Sequence, residues 1–137
     1  MILSSAVICL ALNIYHESRG EALIGQHAVA QVTMNRAGWN EANVCEVVLA
    51  KHQFSWTTGL VAKPTGKAPR LRKAGEPTDE KAWNLAKGVA IVTLKGMIPK
   101  FLGGANFYHS TSVAPYWSTK FKRVSRIGSH VFYLSQK

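Results

Sequence analysis

Hydrophobic residues fill the first part of the chain in a run that predicts a buried helix. The helix is expected over residues 6–18, with Ser4 or Ser5 as its N-cap and its end near Gly20. An apolar N-terminus is also typical of a signal peptide, but this one has no positively charged start and no clean small-residue cleavage site. It leads directly into the polar segment HESRGE. We therefore interpret the run as the first helix of the fold, in a protein with no export signal of its own.

Two further helices are expected before the middle of the chain. One is predicted within the segment 21–38; the helix itself ends at Arg36, and Gly38 lies beyond it as a C-cap signal. Its apolar centre indicates a helix that crosses the core. The other, over residues 40–51, is shorter. Residues 52–76 then lose helical periodicity and contain Pro and Gly at intervals, which predicts a loop. A loop of this length inside a small domain is more often functional than idle.

The later part of the chain changes from helix to sheet. A fourth helix is expected over residues 77–96, with Pro77 in its first turn. Residues 101–110 and 122–135 are punctuated by Gly and rich in aromatic and β-branched residues, so they predict a small C-terminal hairpin or sheet. The whole pattern predicts one compact α+β domain, mainly helical, that spans residues 1–137 without an internal repeat or a linker.

Length and composition fit this picture. At 137 residues the chain is long enough to bury a core without a metal or a disulfide framework. With 47% hydrophobic and 18% charged residues it is typical of a globular protein, and no segment has the ~18 apolar residues of a membrane span. Cys9 and Cys45 lie in apolar segments without CxxC spacing. We expect them to be buried thiols, with a disulfide between them left open.

The net charge is strongly positive and points to anionic partners. There are 17 Lys and Arg residues against 7 Asp and Glu, a formal net charge of +10. Such a chain is attracted to nucleic acid, anionic lipid or a bacterial envelope. The basic stretch over residues 67–75 suits phosphate contacts, but no helix-turn-helix or RNA-binding signature accompanies it. We therefore predict no specific nucleic-acid partner, although charge alone does not choose among the others.

The small number of acidic residues lets the candidates for a general acid be compared one by one. Glu17 ends an apolar helix directly after Tyr15 and His16, and partial burial there would raise its pKa, as a general acid at neutral pH requires. Glu21 opens the next helix, where it can serve the helix dipole or pair with a nearby Arg. The remaining acidic residues lie near helix starts or on the short third helix: Glu41, Glu46, Glu76, Asp79 and Glu80.

These carboxylates allow two routes for cleaving a glycosidic bond. Glycoside cleavage uses either two carboxylates or one carboxyl group with help from the substrate. For the first route Glu21 is the second candidate, because Asp79 is the only Asp and its context is structural. In the second route Glu17 protonates the leaving oxygen and then deprotonates the sugar's 6-hydroxyl, which closes an anhydro ring. His16-Glu17 also begins like the zinc motif HExxH, but Gly20 stands where the second His belongs, so we predict no metal and no cofactor.

Several short motifs follow one another along nearly the whole chain. The first group contains Glu17-Ser18-Arg19-Gly20-Glu21, Gly25-Gln26, Ala28-Val29-Ala30 and Asn35-Arg36. The later ones are Gln53-Phe54-Ser55-Trp56, Asn106-Phe107-Tyr108-His109 and the segment IGSHVFY over residues 127–133. In this order they resemble the SleB-type cell-wall hydrolases, a family of spore-cortex-lytic enzymes and phage endolysins, with Ser18 in place of the commoner Ala.

The resemblance implies a fold, a reaction and a setting. The implied fold is similar to that of lysozyme and lytic transglycosylases, and Glu17 is the implied catalytic acid and then base. The implied reaction is cleavage of peptidoglycan between N-acetylmuramic acid and N-acetylglucosamine, which leaves 1,6-anhydro ends. Since no peptidoglycan-binding module flanks the domain, a phage endolysin is favoured over a spore enzyme. It would stay in the host cytoplasm until a holin lets it reach the periplasm and wall, and it would act as a monomer.

The resemblance also extends the candidate site. Arg19 and Glu21 are expected to shape it, and substrate contacts are expected from Gln53, Phe54, Ser55, Trp56, Tyr108 and His109. Tyr108 can instead orient Glu17, and the aromatic residues and His109 can equally be structural. The expected partners are glycan strands and an anionic envelope surface. Two alternatives stay open: a hydrolytic muramidase that uses Glu17 and Glu21, and a basic domain without catalysis that binds nucleic acid or cell wall.

Overall fold

The structure, a computed structural model, describes residues 3–50, 56–57, 61–63 and 69–135. Its helices are α1 (Ser5–Ser18), α2 (Leu23–Arg36), α3 (Val44–Leu49) and α4 (Glu80–Leu94), with 3-10 turns at Glu41–Asn43, Lys73–Gly75 and Tyr116–Thr119. Its strands are β1 (Val61–Lys63), β2 (Arg70–Leu71), β3 (Phe107–Ser110), β4 (Lys122–Ile127) and β5 (His130–Leu134). None of the described helices is long and apolar enough to cross a membrane. The predicted α+β fold with a mainly helical core is confirmed.

Helix α1 lies at the centre of the fold. The Ser4 side chain caps it by accepting a hydrogen bond from the backbone N–H of Val7 at 3.2 Å, as the sequence predicted. Every residue from Cys9 to Tyr15 is buried, and the helix packs against α2, α3 and α4. A helix enclosed on all sides has little freedom to shift, so its last turn, which carries Glu17, is held in a fixed place.

The C-terminal segments form a three-stranded antiparallel sheet in the order β3-β5-β4. Phe132 of the central strand is fully buried and packs against Ala28, Val29 and Val32 of α2. This contact explains why α2 is apolar on more than one face: one side packs on α1 and another on the sheet. The predicted C-terminal sheet is confirmed, and it places Tyr108 of β3 beside the end of α1.

Two predictions for the middle of the chain are wrong in detail. The segment over residues 52–76, expected to be a loop, contains β1 and β2, which pair antiparallel. Helix α4 begins at Glu80 with Asp79 as its N-cap, so Pro77 lies before the helix and not in its first turn. The Asp79 side chain sets this start, because it accepts from the backbone N–H of Ala82 at 3.0 Å. The backbone N–H groups of Thr78 and Asp79 donate to the Tyr15 hydroxyl at 3.2 and 3.1 Å, which fixes the start of α4 against α1.

The expectation of two buried free thiols is also wrong. Cys9 of α1 and Cys45 of α3 form a disulfide, although both are buried as expected. The packing of α3 on α1 brings their Cα atoms to 5.2 Å, within the range that a disulfide spans. Their separation of 36 positions carries no signal of this pairing, because it follows from how the two helices pack.

Candidate active site

Glu17 lies half-buried in the last turn of α1, facing the sheet. Burial raises the pKa of its carboxyl group, and a hydrogen bond from the Tyr108 hydroxyl, 3.1 Å from Oε1, offsets only part of this rise. Glu17 therefore keeps its proton to a higher pH than an exposed Glu does. A carboxyl group in this state can donate a proton to a leaving oxygen, which is the chemistry expected of Glu17 from the sequence.

Tyr108 is held between Glu17 and the sheet. Its ring meets His130 edge-to-face with centroids 5.3 Å apart and tilts against Phe132 at 5.8 Å. Burial, together with the charge of Glu17 and the hydrogen bond to it, raises the pKa of Tyr108 well above its usual 10.0. The hydroxyl thus stays protonated and is a permanent donor to Glu17. This geometry supports the orienting role that the sequence left open; a substrate contact by Tyr108 stays a prediction.

Asn13 joins this pair to the rest of the core, and sequence reasoning missed it. It is fully buried one helical turn before Glu17, where residues four apart lie on the same face. Its Nδ2 donates to Thr33 Oγ1 at 3.2 Å, its Oδ1 accepts from Trp56 Nε1 at 2.8 Å, and its side chain also bonds the Tyr108 hydroxyl. The one signal in the sequence is a lone amide within an apolar run.

Trp56 lies behind Glu17 in the core and does not line an open surface. Only 7% of it is exposed, and its ring stacks on His16 with centroids 4.6 Å apart and planes 18° apart. His16 in turn donates from Nε2 to the carbonyl oxygen of Gly75 at 2.9 Å. This burial favours a supporting role for Trp56 over the predicted substrate contact. Gln53, Phe54 and Ser55 lie outside the described residues, so their predicted substrate contacts stay predictions.

Glu21 is engaged away from this group, at the turn between β4 and β5. Its Oε1 accepts from the backbone N–H of Ser129 at 2.9 Å and from its hydroxyl at 2.8 Å, and lies 3.6 Å from His130 Nδ1. The bonds from Ser129, backbone first, lower the pKa of Glu21. Gly128 has a φ of 57°, and a Cβ there would come within 2.6 Å of the same oxygen, so this approach requires glycine. Glu21 is an ionised anchor between the start of α2 and the sheet.

Arg19 and His109 have partners within the protein. The Arg19 guanidinium lies 4.5 Å from the centre of the Tyr15 ring and donates to the Tyr15 hydroxyl. His109 donates from Nδ1 to the Ser110 carbonyl at 2.7 Å, while its Nε2 accepts from the Tyr133 hydroxyl at 2.9 Å. With both ring nitrogens satisfied, His109 is suited to a structural role. Direct contributions of Arg19 and His109 to the site stay predictions.

A recess lies on the side of the molecule where α2 ends. It has a volume of about 350 Å³ and is lined by Arg36, Asn43, Glu46, Val47 and Ala50. The Arg36 guanidinium lies 4.5 Å from the centre of the Phe107 ring, next to Tyr108 on β3. Burial lowers the pKa of Arg36, and its positive charge in turn lowers the pKa of Tyr108. Arg36 thus lies between the recess and the strand that carries Tyr108.

The site contains acid and base groups, with no cluster suited to a metal. Within the described ranges, no three His, Cys, Asp or Glu side chains come together in a way that could hold a metal ion. Glu21 and His130 face each other at 3.6 Å, but only as a pair. The raised pKa of Glu17 and its hydrogen bond from Tyr108 suit this carboxyl group to proton transfer.

A family model described as Cell Wall Hydrolase matches residues 20–133. The chain belongs to this family. Two solved structures have a similar fold: the catalytic domain of the germination-specific lytic transglycosylase SleB from Bacillus anthracis, and the catalytic domain of the Bacillus cereus SleB protein. The first is 24% identical with a TM-score of 0.67, and 97% of each chain is covered. The second is 26% identical with a TM-score of 0.66, and covers 97% of this chain and 93% of the other. No curated protein sequence matches significantly.

The family membership confirms the predicted resemblance to SleB-type hydrolases and the prediction of a cell-wall-degrading enzyme. The match of the family model begins three residues after Glu17. The support for a role of Glu17 in this hydrolase lies in its own surroundings: its burial, the hydrogen bond from Tyr108 and the buried hydrogen bonds of Asn13.

Proposed function

We propose that this hydrolase is a lytic transglycosylase that cleaves peptidoglycan glycan strands between N-acetylmuramic acid and N-acetylglucosamine. The observation that supports this most directly is a single carboxyl group with a raised pKa, Glu17, oriented by Tyr108. The other candidate carboxylate, Glu21, is bound to Ser129 and has a lowered pKa. One acid with a raised pKa suits a reaction in which the substrate supplies its own nucleophile. SleB of Bacillus anthracis, which shares the fold, is a lytic transglycosylase.

The proposed reaction uses Glu17 twice. Its carboxyl group first donates a proton to the glycosidic oxygen, and the bond between that oxygen and C1 of N-acetylmuramic acid breaks. The carboxylate then takes the proton from the 6-hydroxyl of the same sugar while O6 forms a bond to C1. The products are a 1,6-anhydro end and a free 4-hydroxyl on N-acetylglucosamine. Glu17 ends the cycle protonated, so the reaction consumes no water and needs no second carboxylate.

Tyr108 is proposed to serve both halves of this cycle. Because its hydroxyl donates to Glu17 Oε1, it fixes the orientation of the carboxyl group and leaves the other oxygen for the substrate. When Glu17 becomes a carboxylate, the same hydrogen bond stabilises the charge in a half-buried place. Asn13 holds the Tyr108 hydroxyl from behind and so acts as a positioning residue.

The test is mass spectrometry of soluble fragments released from purified bacterial peptidoglycan. We expect fragments with 1,6-anhydro-muramic acid ends from the native protein. Glu17→Gln should lower the rate by roughly a hundred- to ten-thousandfold, the contribution of a general acid. Glu41→Gln, which changes an exposed carboxylate next to Ser4 at the other end of α1, should leave the rate unchanged. Hydrated reducing ends would replace this proposal with a two-carboxylate hydrolase, and a folded, fully active Glu17→Gln would refute the role of Glu17.

Thermal unfolding supplies the folding control for Glu17→Gln. Because burial raises the pKa of Glu17, its ionisation is less favourable in the folded than in the unfolded protein. The stability linked to its proton is present below the unfolded pKa, near 4.5, and is lost as the pH rises through the higher folded pKa. Glu17→Gln should therefore melt at a higher temperature than the native protein at neutral pH. The difference should vanish at acid pH.

We further propose that the enzyme acts as a monomeric phage endolysin that waits in the host cytoplasm and reaches the wall after a holin opens the membrane. The net charge of +10 supports attraction to an anionic envelope. Expression in bacteria with and without a holin tests this role, and lysis only in the presence of the holin is expected. Lysis without it would contradict the proposed route, and a dimer in size-exclusion chromatography would contradict the monomer.

A further inference from the structure

His130 is a buried polar side chain of the sheet that the proposed reaction does not use. It begins β5, and only 7% of it is exposed. Its Nδ1 is shielded from solvent and has no hydrogen-bond partner among the described residues. A buried polar atom without such a partner is unfavourable, so its presence calls for an explanation. The neighbours of the ring supply one, because they are the Glu21 carboxylate and the ring of Tyr108.

The register of the sheet brings His130 to Tyr108. In the antiparallel pair of β3 and β5, Tyr108 lies opposite Phe132, two positions after His130. Side chains two positions apart lie on one face of a strand, so the three rings share the face on which Phe132 packs against α2. The rings of His130 and Tyr108 meet at an angle of 89° with centroids 5.3 Å apart. Aromatic rings attract each other in this edge-to-face geometry.

Glu21 holds the His130 ring from the turn that precedes α2. Its Oε1 lies 3.6 Å from His130 Nδ1 and is itself fixed by two hydrogen bonds from Ser129. Burial lowers the pKa of His130, and the Glu21 carboxylate opposes part of this shift. The ring is therefore uncharged at neutral pH. His130 thus packs against Tyr108 without placing a positive charge beside the acid.

We propose that His130 is a positioning residue, whose ring holds the Tyr108 side chain so that the Tyr108 hydroxyl stays on Glu17. Hydrogen bonds to Glu17 and Asn13 fix only the hydroxyl end of Tyr108. The tilt of its ring is set by the contacts with His130 and Phe132. This inference rests on the proposed function, because it gives His130 a part in the same reaction.

The test compares His130→Ala, which removes the ring, with His130→Phe, which keeps an aromatic ring without the nitrogen atoms. The pKa of Glu17 is measured by carbon-13 NMR of its carboxyl group, and kcat and KM are measured on purified peptidoglycan. His130→Ala should raise the pKa of Glu17, because the hydrogen bond from Tyr108 that lowers this pKa is loosened. The value of kcat should fall roughly tenfold, less than a 1 Å misplacement can cause, while KM is unchanged. His130→Phe should restore both values.

A double-mutant cycle with Tyr108→Phe shows whether His130 acts through the Tyr108 hydroxyl. Once that hydroxyl is absent, His130→Ala should no longer change the pKa of Glu17. The same shift in both backgrounds would mean that His130 acts on Glu17 by another route and would overturn the proposal. A native pKa of Glu17 in folded His130→Ala would overturn it as well. Where His130→Ala does not fold, His130→Gln, which is closer in size and also lacks the ring, takes its place with the same expectations.

His27→Ala is the matched control for the loss of an imidazole. His27 is half-buried on α2, and burial alone lowers its pKa. The pKa of Glu17 and kcat should therefore stay at their native values in this variant. A shift in His27→Ala equal to that in His130→Ala would show a general response to the loss of a buried His and would contradict a positioning role.

The NMR measurement separates the failure of this proposal from the failure of the proposed function. A raised pKa of Glu17 in His130→Ala, together with full activity of Glu17→Gln, would support the positioning contact and refute the proposed function. Inactive Glu17→Gln, together with a native pKa and rate in His130→Ala, would leave the function in place and make His130 a structural residue. Thermal unfolding of each variant checks that the protein is folded.

Discussion

Glu17 and Glu21 are four positions apart, and their surroundings shift their pKa values in opposite directions. Burial beside Tyr108 raises the pKa of Glu17, whereas hydrogen bonds from Ser129 lower that of Glu21. The same side chain thus becomes a proton donor at one place and a permanent anion at the other. This divergence supports the proposal that, of the seven acidic residues, Glu17 is the catalytic one and Glu21 a structural one.

Replacement of Tyr108 by Phe should shift the pH dependence of the enzyme. The hydrogen bond from Tyr108 lowers the pKa of Glu17, so its loss in Tyr108→Phe raises that pKa further. Because the protonated acid starts the reaction, the fall of kcat/KM on the alkaline side should move to higher pH. The maximal rate should drop about tenfold or more, since the carboxyl group loses its orientation. The measurement is kcat/KM against pH on purified peptidoglycan.

Tyr133→Phe is the matched control for this experiment. It also removes one hydroxyl from the sheet, but that hydroxyl contacts His109 and not Glu17. Its pH profile should therefore match that of the native enzyme. An unshifted profile in Tyr108→Phe, or the same shift in both variants, would show that Tyr108 does not set the protonation of Glu17.

Among the helices and strands, the features that depend on neighbouring residues could be predicted from the sequence. The Ser4 cap, the end of α2 at Arg36 and the aromatic strands at the C-terminus could all be predicted from neighbouring residues. The start of α4 was misplaced although Asp79, its N-cap, is a local signal; the contact of the Tyr15 hydroxyl with the N–H groups of Thr78 and Asp79 is the part that no local pattern predicts. The short pairing of β1 with β2 was missed because strands of two or three residues leave no periodic pattern.

Glu21 should contribute to stability by joining α2 to the turn between β4 and β5. Its lowered pKa gives stability that is present above the unfolded pKa, near 4.5, and lost as the pH falls through the folded pKa. Glu21→Gln should therefore destabilise the protein by about 1–2 kcal/mol at neutral pH, since two hydrogen bonds to a partly exposed charge are weakened. The difference should disappear at acid pH. Urea unfolding at a series of pH values measures it.

The variant Glu21→Gln also distinguishes the mechanism that uses Glu17 alone from the hydrolytic mechanism that uses Glu17 and Glu21. Below its melting temperature, Glu21→Gln should keep most of its activity, because its carboxylate anchors a turn. Ser129→Ala, which removes one of the two donors to Glu21, should be less destabilising and fully active. A loss of activity in Glu21→Gln as large as that in Glu17→Gln would favour the hydrolytic mechanism with two carboxylates.

For the molecule as a whole, the fold was easier to predict than the site. Motif order and the elimination of other acidic residues predicted Glu17 as the acid, and Tyr108 was among the predicted site residues; their catalytic roles stay predictions. Asn13 was not, because an amide inside an apolar helix has meaning only when Thr33, Trp56 and Tyr108 surround it. The engagement of Glu21 with Ser129 was missed for the same reason: the two residues are 108 positions apart. Buried polar networks are properties of tertiary packing, and no local pattern encodes them.

The disulfide between Cys9 and Cys45 should set the stability of the whole domain. It closes a loop over 36 positions that contains Glu17 and all of α2, and the chain-entropy relation gives about 4 kcal/mol for such a loop. Reduction should thus lower the melting temperature by roughly 10–15 °C in a domain of this size. Activity at low temperature should remain, because Cys9 lies about 12 Å along α1 from Glu17. Calorimetry and fragment release, each with and without dithiothreitol, measure the two effects.

Cys9→Ala/Cys45→Ala supplies the control, because its melting temperature should not respond to dithiothreitol. If the unmutated protein, denatured without a reducing agent, has two reactive thiols, this would contradict the disulfide. The chemistry of this cross-link bears on the compartment in which the enzyme is most stable. Disulfides persist in oxidising compartments and are reduced in the cytosol. An endolysin held in the host cytoplasm would therefore carry two thiols and the lower stability. It would gain the cross-link only after release toward the wall, where its substrate lies.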